Sequence, residues 1–108
     1  MAIITKKVTV TTAGTRVPLG AEAGTIVELN VEAVATNADI ADGARIHYGG
    51  EDVDSANEVG LSLDPQDVYS EDDDESRTKV AGRKMEDLYV DSTEDGASVS
   101  VFARTRDN

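Results

Sequence analysis

Residues 25–35 read Thr-Ile-Val-Glu-Leu-Asn-Val-Glu-Ala-Val-Ala, and this stretch decides the fold. In an extended chain Val27, Leu29, Val31, Ala33 and Ala35 share one face. Glu28, Asn30 and Glu32 share the other, with Ile26 and Val34 at the flanks. A repeat of two is that of a half-buried strand, whose successive side chains point to opposite faces. The β-branched residues here are stiff at χ1 and pack well on a pleated surface.

The same alternation runs outward in both directions. Residues 7–12 (Lys-Val-Thr-Val-Thr-Thr) set Val8 and Val10 on one face, and Gly14 ends them. Residues 15–19 form a short strand that Pro18 assigns to a sheet edge, because proline cannot donate to a ladder. Ahead of these, Ala2-Ile3-Ile4 is weakly hydrophobic: Ile3 and Ile4 belong either to a docking strand or to the first strand of the core. Downstream, residues 36–43 are a polar loop with an Asp42-Gly43 turn. Residues 44–49 form a strand with Ile46 and Tyr48 on one side and Arg45 and His47 facing solvent on the other.

Gly49-Gly50 ends that strand, and residues 51–60 form a polar connection anchored by Val53. Leu61-Ser62-Leu63 alternates again, residues 64–67 turn, and Val68 and Tyr69 open the next strand. Residues 71–75 are five consecutive acids, within an acidic loop at about 71–77. Residues 78–81 resume pairing, Leu88-Tyr89-Val90 is a strand, and Glu94-Asp95-Gly96 is a hairpin turn. Residues 98–105 close the chain with Val99, Val101 and Ala103 on one face. Seven to nine short strands with regular turn signals predict an all-β chain. The expected form is a single antiparallel β-sandwich, jelly-roll-like, in one domain over residues 1–108.

Charge narrows the environment. Twenty-two Asp and Glu face ten Lys and Arg, for a net charge of −12, and lysine stands only at positions 6, 7, 79 and 84. Such a surface repels nucleic-acid phosphate and anionic head groups, so neither nucleic acid nor membrane is an expected partner. Acids spread along the whole chain, with few lysines, fit a protein working in molar salt, where the Debye length is about 3 Å. There is no cysteine, which excludes disulfides and thiolate chemistry. No signal peptide is read at the N-terminus, and no apolar run is long enough to span a membrane.

Catalytic chemistry is not expected. His47 is the only histidine, and no Gly-x-Ser-x-Gly elbow or phosphate loop is present. No metal site or cofactor is expected beyond loosely bound cations. The nearest approaches to a cation site are Asp72 and Asp74 in the acidic run, and Asp91 and Asp95 in Asp91-x-Thr93-x-Asp95-Gly96. The latter imitates the first half of a calcium loop, but Phe102 stands where the closing bidentate acid belongs. In the acidic run, neighbouring side chains point opposite ways and do not make a cage.

Several short motifs occur in order: Thr36-Asn37, Ala44-Arg45-Ile46-His47-Tyr48-Gly49-Gly50, Val53, Gly60-Leu61-Ser62-Leu63-Asp64-Pro65, and Asp87-Leu88-Tyr89-Val90. Over about residues 25–103 this resembles a set of small β-sandwich virion proteins of tailed phages. Gln66 stands where their turn carries Gly, and residues 71–77 look like an insertion. With the acidity, the resemblance implies a virion structural protein of a haloarchaeal tailed virus, assembled in the high-salt host cytoplasm. The first expectation is a capsid-surface decoration or turret subunit, homo-oligomeric and bound to other virion proteins, the major capsid protein foremost. The alternatives are a tail, baseplate or adaptor component, or a carbohydrate or cell-surface binding module. The last would use Tyr48, Tyr69, Tyr89 or Phe102 as its aromatic platform.

Overall fold

The computed structural model describes residues 2–34, 46–64, 66–72 and 84–106. Their alternating segments become eight strands: β1 (Ala2–Val10), β2 (Val17–Pro18), β3 (Thr25–Ala33), β4 (Ile46–Gly49), β5 (Leu61–Ser62), β6 (Val68–Asp72), β7 (Tyr89–Ser92) and β8 (Ala97–Arg106). One sheet has the order β1-β8-β3-β6 and the other β2-β7-β4-β5. First pairs with last, second with seventh, third with sixth and fourth with fifth, all antiparallel. The chain is thus a long hairpin rolled up so that alternate strand pairs fall in opposite sheets. The β3–β8 and β4–β7 ladders sew the roll together. This is the double-sheet jelly roll.

The core lies between the sheets. Val8, Val10, Leu29, Val31, Val99 and Val101 come from one sheet; Ile46, Tyr48 and Val90 come from the other, with Leu19, Met85 and Leu88 beside them. Each aliphatic side chain fully withdrawn from water contributes about 1.5–3 kcal/mol. On β3 the alternation holds from Leu29 onward. A β-bulge between Ile26 and Glu28 inserts Val27 as an extra residue, so Ile26 also enters the core.

Several expectations change. The first strand begins at Ala2, not at residue 7, and Ile4 packs against the core while Ile3 is 68% exposed. These residues therefore form the opening strand of the sandwich, fully paired with β8. Glu94-Asp95-Gly96 does not close a hairpin: β7 and β8 lie in different sheets, and the turn carries the chain between them. Glu71 and Asp72 are not loop residues but end strand β6, paired with Leu29 and Glu28. Residues 85–87 form a 3-10 turn that buries Met85, with the Asp87 carboxylate accepting the Lys84 N–H. The expected edge position of Pro18 holds. The expected loop at 36–43, the rest of the acidic loop at 73–77, the pairing at 78–81 and the side taken by Arg45 lie outside the described residues.

Candidate functional site

The segment between β4 and β5 is an ordered lid on the outer face of β4. Its tip closes through an Asp54–Val59 bridge. The Asp54 carboxylate accepts the N–H groups of Ala56 and Asn57 and the side-chain amide of Asn57. The Asn57 amide is the largest influence on the Asp54 carboxyl and lowers its pKa; desolvation opposes it, and the backbone N–H groups of Asn57 and Ala56 with Arg16 bring the net shift below the ordinary aspartate range. The lid returns through Gly60 at φ 118°, where a Cβ would stand 2.8 Å from Val53 Cγ2 and 2.9 Å from the Tyr48 carbonyl oxygen. Val53 and Ser55 are driven inward and are both 1% exposed.

His47 is therefore not the solvent-facing histidine the alternation suggests. It is 2% exposed, because the lid covers the face that an isolated strand would offer to water. Its Nδ1 lies 2.8 Å from the Ser55 hydroxyl, and that hydroxyl donates to the Asp91 carbonyl oxygen at 3.2 Å. The Ser55 hydroxyl has a single proton, so it does not donate to the Asp91 carbonyl and to the His47 imidazole at once. The Asp91 carboxylate accepts the Ser55 N–H at 2.8 Å through Oδ2. Asp91 sits opposite His47 on β7 and is itself buried. Serine, histidine and aspartate meet here as a latch fastening the lid to the sheet. The signal available in the sequence was the pair of inward residues, Val53 and Ser55, inside an otherwise polar stretch.

The half calcium loop does not assemble. Asp91 is turned inward to Ser55, while Asp95 Oδ1 accepts the Ala13 N–H at 2.7 Å and ties the β7–β8 turn to the end of β1. Strand geometry sends the two carboxylates to separate tasks. Asp72 is the last residue of β6, and Asp74 lies outside the described residues. Among the described residues no group of three or more His, Cys, Asp or Glu is placed to hold a metal ion.

A cleft of about 480 Å³ opens beside the lid, with Tyr48, Leu61, Tyr69, Asp87 and Leu88 on its walls and glycine backbone between them. The Tyr48 and Tyr69 rings approach to 5.1 Å between centroids, tilted by 38°. Alternation along β4 and β6 aims both rings into the gap between the sheets. Leu61, on the two-residue edge strand β5, is 48% exposed at the rim. Tyr89 is half-buried on β7, away from this pair. Phe102 points the other way, on the outer face of the first sheet.

Elsewhere, among the described residues, two ion pairs are part-buried. Lys6 meets Glu22 at 3.1 Å and Arg104 meets Glu28 at 2.6 Å. Desolvation, the largest influence on the Glu22 carboxyl, raises its pKa; backbone N–H groups and Lys6 together outweigh it and hold the carboxyl below its ordinary range. No helix among the described residues is long and apolar enough to cross a membrane. Comparison with protein families, with curated proteins and with solved structures finds no match to this chain.

Proposed function

We propose that this chain is a non-catalytic structural subunit of a virion, a capsid-surface decoration or turret subunit of a haloarchaeal tailed virus. The observation that carries the reading is the strand order β1-β8-β3-β6 over β2-β7-β4-β5, the architecture of many viral capsid domains. The motifs of the phage-like resemblance support it by their placement. Residues 46–50, Val53, residues 60–64 and residues 87–90 all build the second sheet and its lid. A net charge of −12 suits a surface exposed to molar salt. The contact between Ser55 and His47 is buried beneath the lid. A subunit held by neighbours also gains stability through binding.

Electron cryomicroscopy of intact particles tests the reading. Density for the jelly roll on the capsid shell supports it. Density on the tail moves the chain to a tail, baseplate or adaptor role, and absence from the particle ends the reading. The cleft beside Tyr48 and Tyr69 favours a second reading, a carbohydrate or cell-surface binding module, since aromatic rings stack on the apolar faces of sugars. Glycan-array binding in molar salt, lost on Tyr69→Ala, would select it.

A further inference from the structure

We infer that the outer face of the sheet β1-β8-β3-β6 is the surface through which two copies of this chain associate. The inference deepens the reading of the chain as an assembly subunit and rests on it.

The face is unusual for this molecule in side chains and in charge. Phe102, the single Phe of the chain, lies half-buried on the outer face in the middle of β8 rather than in the core. The register sets Thr5, Phe102, Asn30 and Ser70 in one row across the four strands. Ile3 on edge strand β1 and Val68 on edge strand β6 share this face, 68% and 54% exposed. Aromatic side chains turned outward carry much of the energy of protein interfaces.

The described outward positions hold Lys7, Arg104 and Arg106 against Glu28, Glu32 and, by its register opposite Glu28, Asp72, a balance of charge in a chain whose net charge is −12. Among the described residues the excess of negative charge therefore lies on the other faces. Two copies meeting elsewhere would press carboxylates against carboxylates, whereas here they would not.

The face is also complementary to itself. Arg104 and Glu28 stand opposite each other on the two central strands. A two-fold axis along the strands, between β8 and β3, lays each Arg104 over the partner's Glu28 and each Phe102 over the partner's Asn30. Such an isologous contact closes as a dimer. With three strands about 30 Å long and β6 about 17 Å, set about 4.8 Å apart, the two copies together bury about 1,100 Å², just above the minimum for a specific interface. Association by the free edge of β1 is disfavoured instead. Lys6 and Lys7 stand side by side there, and an inward-turned charge such as Lys6, paired with Glu22, guards an edge against strand addition.

The test is sedimentation equilibrium of the whole chain in molar salt. The wild type is expected to be a dimer. Phe102→Asp is expected to be monomeric, with the β signal in circular dichroism retained and with melting that no longer depends on protein concentration. Arg104→Glu is expected to weaken the dimer at least about tenfold, and Arg104→Glu with Glu28→Arg to restore it. A wild type that stays monomeric, or a dimer that Phe102→Asp leaves intact, overturns the inference. So does a monomer that binds glycans through Phe102. Particle composition separates the two claims. A monomer found in particles removes the dimer and keeps the virion reading; a dimer absent from particles does the reverse.

Discussion

The imidazole Nδ1 of His47 and the hydroxyl of Ser55 lie 2.8 Å apart, between a strand and the lid that folds back over it, and both residues are withdrawn from water. Ser55→Ala removes this contact from a buried imidazole. The expected cost is about 1–3 kcal/mol, read as a drop of roughly 4–8 °C in melting temperature per kcal/mol. Ser62→Ala, on an exposed residue of β5, serves as the control and is expected to change nothing measurable. Equal melting of the two variants would show that the latch holds nothing.

Two residues on neighbouring central strands separate the faces of the first sheet. Leu29 is fully buried, and Leu29→Ala is expected to cost about 2–5 kcal/mol through lost burial and the cavity left behind. Ser100 is exposed on β8, and Ser100→Ala is expected to stay within about 0.5 kcal/mol. Denaturant midpoints of the two variants check the inward and outward assignment directly.

Gly60 closes the lid at a positive φ, with the Val53 side chain and the Tyr48 carbonyl oxygen both inside the reach of an added Cβ. Gly60→Ala is expected to destabilise by more than about 1 kcal/mol, from backbone strain and collision together. Gly96→Ala has the same sign of φ and open space around it, so it is expected to cost less. Chemical denaturation of both variants gives the order; a reversed order contradicts the lid geometry.

Much of the architecture is legible in the residues. Val8 with Val10, Leu29 with Val31, and Val99 with Val101 announce their inward faces by alternation alone, and Pro18 announces its edge. The pairing is not legible, because Ala97 to Thr105 reads the same whether its neighbour is β7 or β1. The turn at Glu94-Asp95-Gly96 suggests the nearer strand, while burial of both valine faces in one roll selects the distant one. The bulge at Val27 escapes for a similar reason: with Ile26 and Val27 both apolar, either parity is acceptable locally. His47 is missed because alternation describes one strand against one core. It says nothing of a ten-residue segment that returns to cover the second face, an error Ser55 and Asp91 turn into a buried network.

Asp54 gives a pH dependence with a definite sign. Its carboxyl is held low in the folded state, so its contribution is present above the ordinary aspartate range and lost as pH falls through the folded value. Melting of the wild type and of Asp54→Asn is expected to differ at neutral pH and to converge on acidification. Curves that run parallel down to strong acid would contradict the role given to Asp54.

Salt is expected to act on the whole molecule. With −12 net charge, dilution lengthens the screening distance from about 3 Å to about 10 Å between molar and 0.1 M salt, and self-repulsion grows. The β signal in circular dichroism is expected to weaken on dilution and return when salt is restored. An equally stable fold in dilute buffer would contradict adaptation to molar salt.

The most direct trial of the assembly role is the copy number of this chain in purified virus particles, measured by quantitative mass spectrometry. Hundreds of copies per particle are expected, as a subunit repeated over a capsid surface requires. A chain abundant in infected cells and missing from the particles would contradict it.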